Sequence, residues 1–362
     1  FSGSTGETWT INGRGFIYAA PAYLGYLAEE ARTNLVLRSS DFSLAWAAVG
    51  TPTRSAAAKT CGSVNLDLIG DDSAAALEGY TQTITYTADA TKVVSFFIAQ
   101  GTSTSVMVRL RDTTAPADRL LAAITWAATG LPTITMTTGT SLGYQIFPNG
   151  IFRISLLSAS VTAANTNSLE FYPASTAALA VANTGDAYIG GVESNNAAFS
   201  TTHIPTAAAT VTRAADVMTF PSAGNISDTV GTSFGRFTSN LGATGSGHLL
   251  STFSGASGGA PLEIISGNIN LFDGTAQRII SGSVGNPNTS LKRLSSTWSG
   301  SSCSGYINGV LGLTATFDGN LNTQTNLAIG CHADGTATLN GTIRDVRIWQ
   351  RVLSDSQIAS IK

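Results

Sequence analysis

Three histidines, three cysteines and a few strand-borne acids are the residues of this 362-residue chain whose types suit chemistry. The histidines stand in unrelated surroundings: Thr202-His203-Ile204, Gly247-His248-Leu249 and Cys331-His332-Ala333. A metal site needs several N, S or O donors converging, and Cys331-His332 is the one close pair of soft ligands. Neighbours on a strand point to opposite faces, so this pair is a poor chelate and its histidine reads as an ordinary turn residue. Asp318-Gly319-Asn320 with Asn322 is an oxygen-rich loop of the type that holds Ca²⁺. The same residues also build turns through their own local hydrogen bonds. Calcium is therefore a candidate ligand there, and no other metal or cofactor is expected.

Glycoside hydrolysis needs two carboxylates facing each other across a cleft. Glu170, Glu193 and Glu263 lie nearest to predicted strands, but no spacing pairs them. A Gly-x-Ser-x-Gly elbow is not recognisable, and the Gly-rich stretch 254–259 lacks the lysine and helix of a phosphate loop. No catalytic residue is assigned, and the expectation is a protein that is not an enzyme. Sugar binding is the stronger prospect, because saccharides stack their apolar faces on exposed aromatic rings. Trp9, Tyr18, Tyr23, Tyr26, Trp126, Tyr144 and Phe147 are candidates for such a platform, and Trp126 and Tyr144, read as bordering loops, are the candidate carbohydrate-binding residues. Trp46, Trp298 and Trp349 lie inside apolar strand patterns and read as core.

The elements that must position these side chains are short strands. Tyr80, Ile84 and Tyr86 alternate with Thr and Gln, and Val106, Val108 and Leu110 alternate with Met107, Arg109 and Arg111. That period of two marks half-buried strands. Further short runs at 93–98, 152–157 and 169–172 are separated by Gly, Thr, Asn and Ser turns. Many short strands with almost no helical stretch predict antiparallel sandwiches. Asn308-Gly309, set between two apolar runs, predicts a tight turn in which both residues take positive φ. At the C-terminus, Ile343, Val346 and Ile348 form an apolar-rich strand. Ser354 then reads as a helix N-cap, with Gln357 completing a capping box before Ile358 and Ile361. The predicted fold is all-β, two tandem antiparallel β-sandwich (jelly-roll) domains, with an irregular N-terminal attachment segment over 1–34 and a short C-terminal helix.

Two sets of residues resemble known families. GTIRDVRIWQRVLSDSQIASI at 341–361, with RLSSTWSGSSCSGYINGVLGLT at 293–314 and the short strand at 327–330, resembles the laminin-G/concanavalin-like lectin family. The likeness covers roughly 220–361 and implies a binding module over 219–362. Upstream, EARTNL at 30–35 with Ser39-Ser40-Asp41-Phe42 and Trp46 resembles an opening phrase of bacteriophage tail and virion-surface proteins. Its partner is GDAYIGGVE at 185–193, followed by His203-Ile204-Pro205-Thr206 and Thr212-Arg213-Ala214-Ala215-Asp216. Together they look like the first and last parts of a jelly roll similar to carbohydrate-binding modules, spanning 35–218. This second resemblance implies a phage or prophage origin and a place on the virion surface, assembled in the host cytoplasm and extracellular in the mature particle.

Composition bounds the function classes. Charged residues make up 11% of the chain, against roughly 25% in ordinary soluble proteins. The surface must therefore be built from Ser, Thr, Asn, Gly and Ala, which suits packing into a large assembly. A net charge of −3 gives no electrostatic footprint for nucleic acid. No run approaches the ~20 apolar residues that span a bilayer, so no membrane insertion is expected. Cys61, Cys303 and Cys331 read as free buried thiols, although a Cys303–Cys331 bridge is conceivable. Phe1 is not an initiator residue, so processing or a longer parent is expected. Expected partners are other virion proteins, further copies of the chain, most simply a trimer by the habit of phage fibres and spikes, and host cell-surface glycan. Receptor binding, capsid or head-fibre decoration and glycan-degrading tail enzyme are the three readings, in that order.

Overall fold

The computed structural model describes residues 26–126, 130–176, 178–179, 181–239, 246–253, 258–265, 267–283 and 291–361. Among them the chain is almost entirely antiparallel β, with one α-helix at Asp355–Ser360. It divides into two compact units, one comprising Ala31–Ala214 and the other Phe1–Glu30 with Ala215–Lys362. Among the described residues no helix is long and apolar enough to cross a membrane.

The unit Ala31–Ala214 holds two six-stranded sheets. One runs in the order Pro132–Thr138, Ala117–Trp126, Ser105–Asp112, Asn167–Tyr172, Gly79–Ile84, Ala47–Val49. The other runs Thr140–Phe147, Ile151–Leu157, Val93–Gln100, Gly185–Asn195, Val64–Asp71, Thr53–Cys61. The alternation read from sequence is the cause of the core. Val106, Val108 and Leu110 all face inwards, with Tyr80, Ile84, Leu169 and Phe171 beside them. Phe42, Trp46, Phe96 and Phe171 meet in tilted and edge-on ring contacts.

The opening and closing phrases of this unit are hydrogen-bonded neighbours. Arg32–Asn34 pairs antiparallel with Val211–Arg213, and within the segment expected to be irregular over 1–34 the described part holds short strands at Tyr26–Ala28 and Arg32–Asn34. Each is three residues long, too short to carry a visible period. Residues 1–25 of the expected attachment segment, with Trp9, Tyr18 and Tyr23, lie outside the described residues. Asn34 is fully buried, and its Nδ2 donates to the Val192 carbonyl at 3.0 Å and the Ile204 carbonyl at 2.8 Å. Its Oδ1 accepts from the main-chain N–H of Val36 at 3.1 Å and Ser194 at 3.2 Å. One amide thus fills its hydrogen-bonding capacity by tying both phrases together.

The second unit also holds two six-stranded sheets. The first runs Tyr26–Ala28, Gly341–Trp349, Val230–Ser239, Lys292–Ser299, Ser302–Ile307, Val310–Thr316. The other runs Met218–Pro221, Asn326–Ile329, Gly247–Ser251, Ala260–Ile265, Asn268–Phe272, Gln277–Ser283. Between them lie Phe237, Leu250, Leu262, Trp298 and Phe317. Asn308 and Gly309 both take positive φ, 53° and 84°, as the tight turn requires. A side chain at Gly309 would also meet the Ala359 Cα at 2.9 Å, so the turn is fitted against the closing helix. That helix carries the full capping box of Ser354 and Gln357, and Ile358 and Ile361 seat it on Phe234, Tyr306 and Leu353. The three cysteines are free; Cys303 and Cys331 are buried as expected, whereas Cys61 is partly exposed.

Replacing Asn34 by Leu strips up to four main-chain groups of their buried partner, at about 1–3 kcal/mol for each one left unpaired. Chemical denaturation of N34L is expected to show a loss of about 3 kcal/mol or more. A loss below about 1 kcal/mol would show that the amide does not close this unit.

Candidate functional site

In the unit Ala31–Ala214, one face of the sheet containing Ser105–Asp112 packs into the core and the other carries a polar row. Register sets Glu170 opposite Arg109 on one side and Thr81 on the other. Arg109 Nε donates to Asp118 Oδ1 at 2.6 Å, and its Nη1 lies 3.6 Å from Glu170 Oε2. The Tyr172 hydroxyl donates to the same Glu170 oxygen at 3.2 Å. Burial pushes the Glu170 carboxyl up, while the Arg109 guanidinium and the Tyr172 hydrogen bond oppose the rise. Beside this row the Thr81 and Ser168 hydroxyls share a hydrogen bond. A hollow of about 410 Å³ opens there, lined by Thr81, Thr83, Thr113, Thr166, Ser168 and the apolar Leu37. Gln82 fixes the Leu37 wall, accepting from its N–H at 2.7 Å and donating to its carbonyl at 2.9 Å.

The aromatic candidates stand apart from this hollow. Trp126 ends the strand Ala117–Trp126 half-buried against the core, on the side of Ile124. Tyr144 is 37% exposed on the edge strand Thr140–Phe147, its ring edge-on to Phe152 at 5.7 Å. Among the described residues no ring contact joins the two. Tyr26 is half-buried beside the second unit's core, and Phe147 packs on Phe97. Trp46 and Trp298 are core residues, as expected, and Trp349 is half-buried beneath the closing helix. In the calcium candidate, Asp318 Oδ1 accepts from the Asn320 N–H at 3.0 Å and Asn320 Oδ1 from the Asn322 N–H at 2.7 Å. Asp318 Oδ2 takes the Thr275 hydroxyl at 2.9 Å. These oxygens are engaged as turn acceptors. Among the described residues no group of three or more His, Cys, Asp or Glu could hold a metal ion.

The strand-borne acids, unpaired in the sequence, each have a partner, and none of the partners is a carboxylate. Glu193 is fully buried, with the Arg153 guanidinium at 3.4 Å, His203 Nδ1 at 3.8 Å and the Ile204 N–H at 3.3 Å. It anchors the closing phrase of its unit. Glu263 stands across from His248 in the register of Ala260–Ile265 with Gly247–Ser251. His248 Nδ1 lies 3.3 Å from Glu263 Oε2, and His248 Nε2 lies 3.0 Å from His332 Nε2. Phe253 stacks on the His332 ring at 4.7 Å. His203 and His248 both sit in polar clusters, their side chains 8% and 7% exposed. Sequence reasoning missed the pairing because 84 residues separate His248 from His332, and no local spacing reports a register between distant strands.

Burial drives both groups of the Glu263–His248 pair towards neutrality. It pushes the Glu263 carboxyl up to about 8, and burial followed by the neighbouring His332 pulls His248 down to about 3. Burial lowers His332 too. A neutral carboxyl without a second carboxylate is not the pair that sugar hydrolysis requires.

Residues 227–359 match the family model of the concanavalin A-like lectin/glucanases superfamily, so the second unit carries a laminin-G/concanavalin-like lectin fold. No curated relative matches the sequence. Among solved structures, domain 4 of the extracellular arabinanase AbnA from Geobacillus stearothermophilus, in complex with arabinotriose, is similar at 18% identity. The likeness covers 40% of this chain and 70% of that one, with a TM-score of 0.33. Domains LG4-5 of the mouse laminin alpha1 chain are similar at 12% identity over 73% of this chain and 84% of theirs, with a TM-score of 0.28. The LG1-3 region of the laminin alpha2 chain is similar at 9% identity over 74% and 60%, also at 0.28. Likenesses this distant transfer no residue roles.

A pH dependence follows from Glu263. The folded state keeps a proton that the unfolded chain releases above about 4.5, so this group's contribution to stability falls as pH rises from 4.5 to about 8. His248 acts oppositely: the unfolded chain takes up a proton below 6.5 that the folded state refuses down to about 3. In E263Q only the first effect is removed. Denaturation of E263Q and the parent at about pH 5 and pH 8 should show a gap that shifts in the variant's favour, by up to about 1.4 kcal/mol per unit. A pH-independent gap would contradict the neutral, buried carboxyl.

Proposed function

We propose that this chain is a non-catalytic subunit of a bacteriophage virion surface that binds host cell-surface glycan. The observation that carries the glycan reading is the uncharged hollow of about 410 Å³, whose lining residues Thr81, Thr83, Thr113, Thr166 and Ser168 carry hydroxyls beside the apolar Leu37, Ala45 and Ala47. Uncharged hydroxyls that both donate and accept match a polyol better than an ionic ligand, and the volume lies in the range of small-ligand sites. The lectin-family match over 227–359 supports the same class of ligand for the second unit. The phrases at 30–46 and 185–216 and the 11% charged composition support the virion setting. Glu170, Glu193 and Glu263 face Arg109, Arg153 and His248 and not one another, which supports a role without catalysis.

Capsid or head-fibre decoration is the second reading, favoured by apolar side chains on edge strands. Val310 is 70% exposed with Leu311 and Leu313 beside it, and Ile146 is 66% exposed. An exposed apolar edge is a template on which another chain can pair.

Screening the full chain against host-envelope polysaccharides tests the first reading. It should bind a neutral or weakly charged glycan without releasing reducing ends, and T83W, which fills the hollow, should weaken binding at least tenfold. Light scattering should give a trimeric mass. Absence of glycan binding, failure to compete with adsorption and labelling confined to the capsid shell would decide for decoration.

A further inference from the structure

We infer that His248 and His332 form a two-imidazole site for one divalent transition-metal ion of the zinc class, with Glu263 as the carboxylate behind His248. This site is in the lectin-like unit and is independent of the glycan reading.

Backbone pairing holds both rings in place. Gly247–Ser251 pairs with Ala260–Ile265, which sets His248 opposite Glu263, and with Asn326–Ile329, which leads into His332. The loop beyond is stitched down by His248 N–H to the Ala337 carbonyl at 3.1 Å, His332 N–H to the Thr336 carbonyl at 2.8 Å and Ala333 N–H to the Phe253 carbonyl at 3.1 Å. Both imidazoles therefore present Nε2 to the same point, 3.0 Å apart. Two nitrogens on a tetrahedral ion with bonds of 2.0–2.1 Å stand about 3.4 Å apart. The pair needs to open by only a few tenths of an ångström.

The far sides of the rings fit the same role. The Thr336 hydroxyl gives its one proton to Asp334 Oδ1 at 2.6 Å, so its oxygen accepts from His332 Nδ1–H at 3.1 Å. That hydrogen bond assigns the tautomer, so His332 Nε2 accepts from His248 Nε2–H at 3.0 Å; a metal ion takes the place of that shared proton, which shifts to His248 Nδ1 facing Glu263. His248 Nδ1 has the Glu263 carboxyl at 3.3 Å. A metal-bound imidazole characteristically directs its other N–H to a carboxylate or similar acceptor, as both rings can here. Among the described residues Glu263 has no Arg or Lys partner, and its Oε1 and His248 Nδ1 are buried without a hydrogen bond. A buried carboxyl lacking a cation, next to two convergent imidazoles, is a setting that a bound cation completes. Phe253 stacks on His332 and stands edge-on to His248 at 5.9 Å, walling the rings on one side. Nitrogen donors select zinc-like ions over calcium.

Zn²⁺ titration of the full chain by calorimetry should show one ion per chain. H332A should lower the affinity at least tenfold, and E263Q by about tenfold, the usual cost of losing such a carboxylate. Both variants keep all three cysteines, so retained binding in H332A would assign the ion to thiols and overturn the site. In the unsubstituted chain, Zn²⁺ should shift the ring resonances of two histidines and leave those of His203, which needs no variant to fold. Co²⁺ should give visible absorption without a thiolate charge-transfer band. No binding at millimolar Zn²⁺, unchanged affinity in H332A, shifts at His203 or a thiolate band would each refute the proposal.

Discussion

The architecture of the jelly roll depends on one buried side-chain amide. A sheet sandwich buries main-chain N–H and C=O groups wherever its first and last strands leave the ladders, and each must find a partner. Asn34 supplies four such partnerships at the point where the chain enters and leaves the unit. Around it, Thr206 and Ser39 exchange main-chain and hydroxyl hydrogen bonds, and Glu193 receives the Ile204 N–H. The second unit uses a smaller version of the device. There Asn340 Oδ1 accepts from the Glu30 N–H at 2.9 Å and its Nδ2 donates to the Glu30 carboxylate at 3.2 Å. With these closures made, the sheets hold the rows on which Arg109, Glu170, His248 and Glu263 stand.

Local chemistry was legible in the sequence, and long-range register was not. The Asn308-Gly309 turn, the Ser354–Gln357 capping box and the alternation of Val106, Val108 and Leu110 each follow from neighbours within a few residues. Trp46 and Trp298 were readable as core for the same reason. The His248–His332 contact depends on which strands pair and in what register, information spread over 84 positions. The hollow is also non-local, joining side chains from Leu37 to Ser168. Trp126 and Tyr144 read as loop-bordering in the sequence, whereas Tyr144 stands inside the strand Thr140–Phe147, and neither position reports whether a ring faces the core. The resemblance at 341–361 located the lectin-like unit, whereas the acids' partners required the fold.

Sparse charge and internal ion pairing go together. Many of the chain's ionic side chains are engaged within the structure. Asp67 holds Arg54 at 2.6 Å, Asp112 holds Arg119 at 2.8 Å and Asp273 holds Arg278 at 2.6 Å, each carboxylate being buried. Side-chain hydrogen bonds, led by that from Arg119, pull the Asp112 carboxyl down to about 2. None of the residues lining the hollow carries a charge.

The short strand Tyr26–Ala28 has a consequence for how the chain assembles during synthesis. It pairs with Gly341–Trp349, and Glu30 contacts Asn340, 310 positions later. At translation rates of 5–20 residues per second, that gap takes roughly 15–60 s to emerge. The jelly roll, complete once Val211–Arg213 has appeared, has time to fold inside the interval. The lectin-like unit must instead keep its first strand waiting while a whole domain is made and folded, and it acquires that edge last. A ribosome that stalls before residue 341 therefore leaves a finished jelly roll attached to an open sheet, a species exposed to edge-to-edge association with its neighbours.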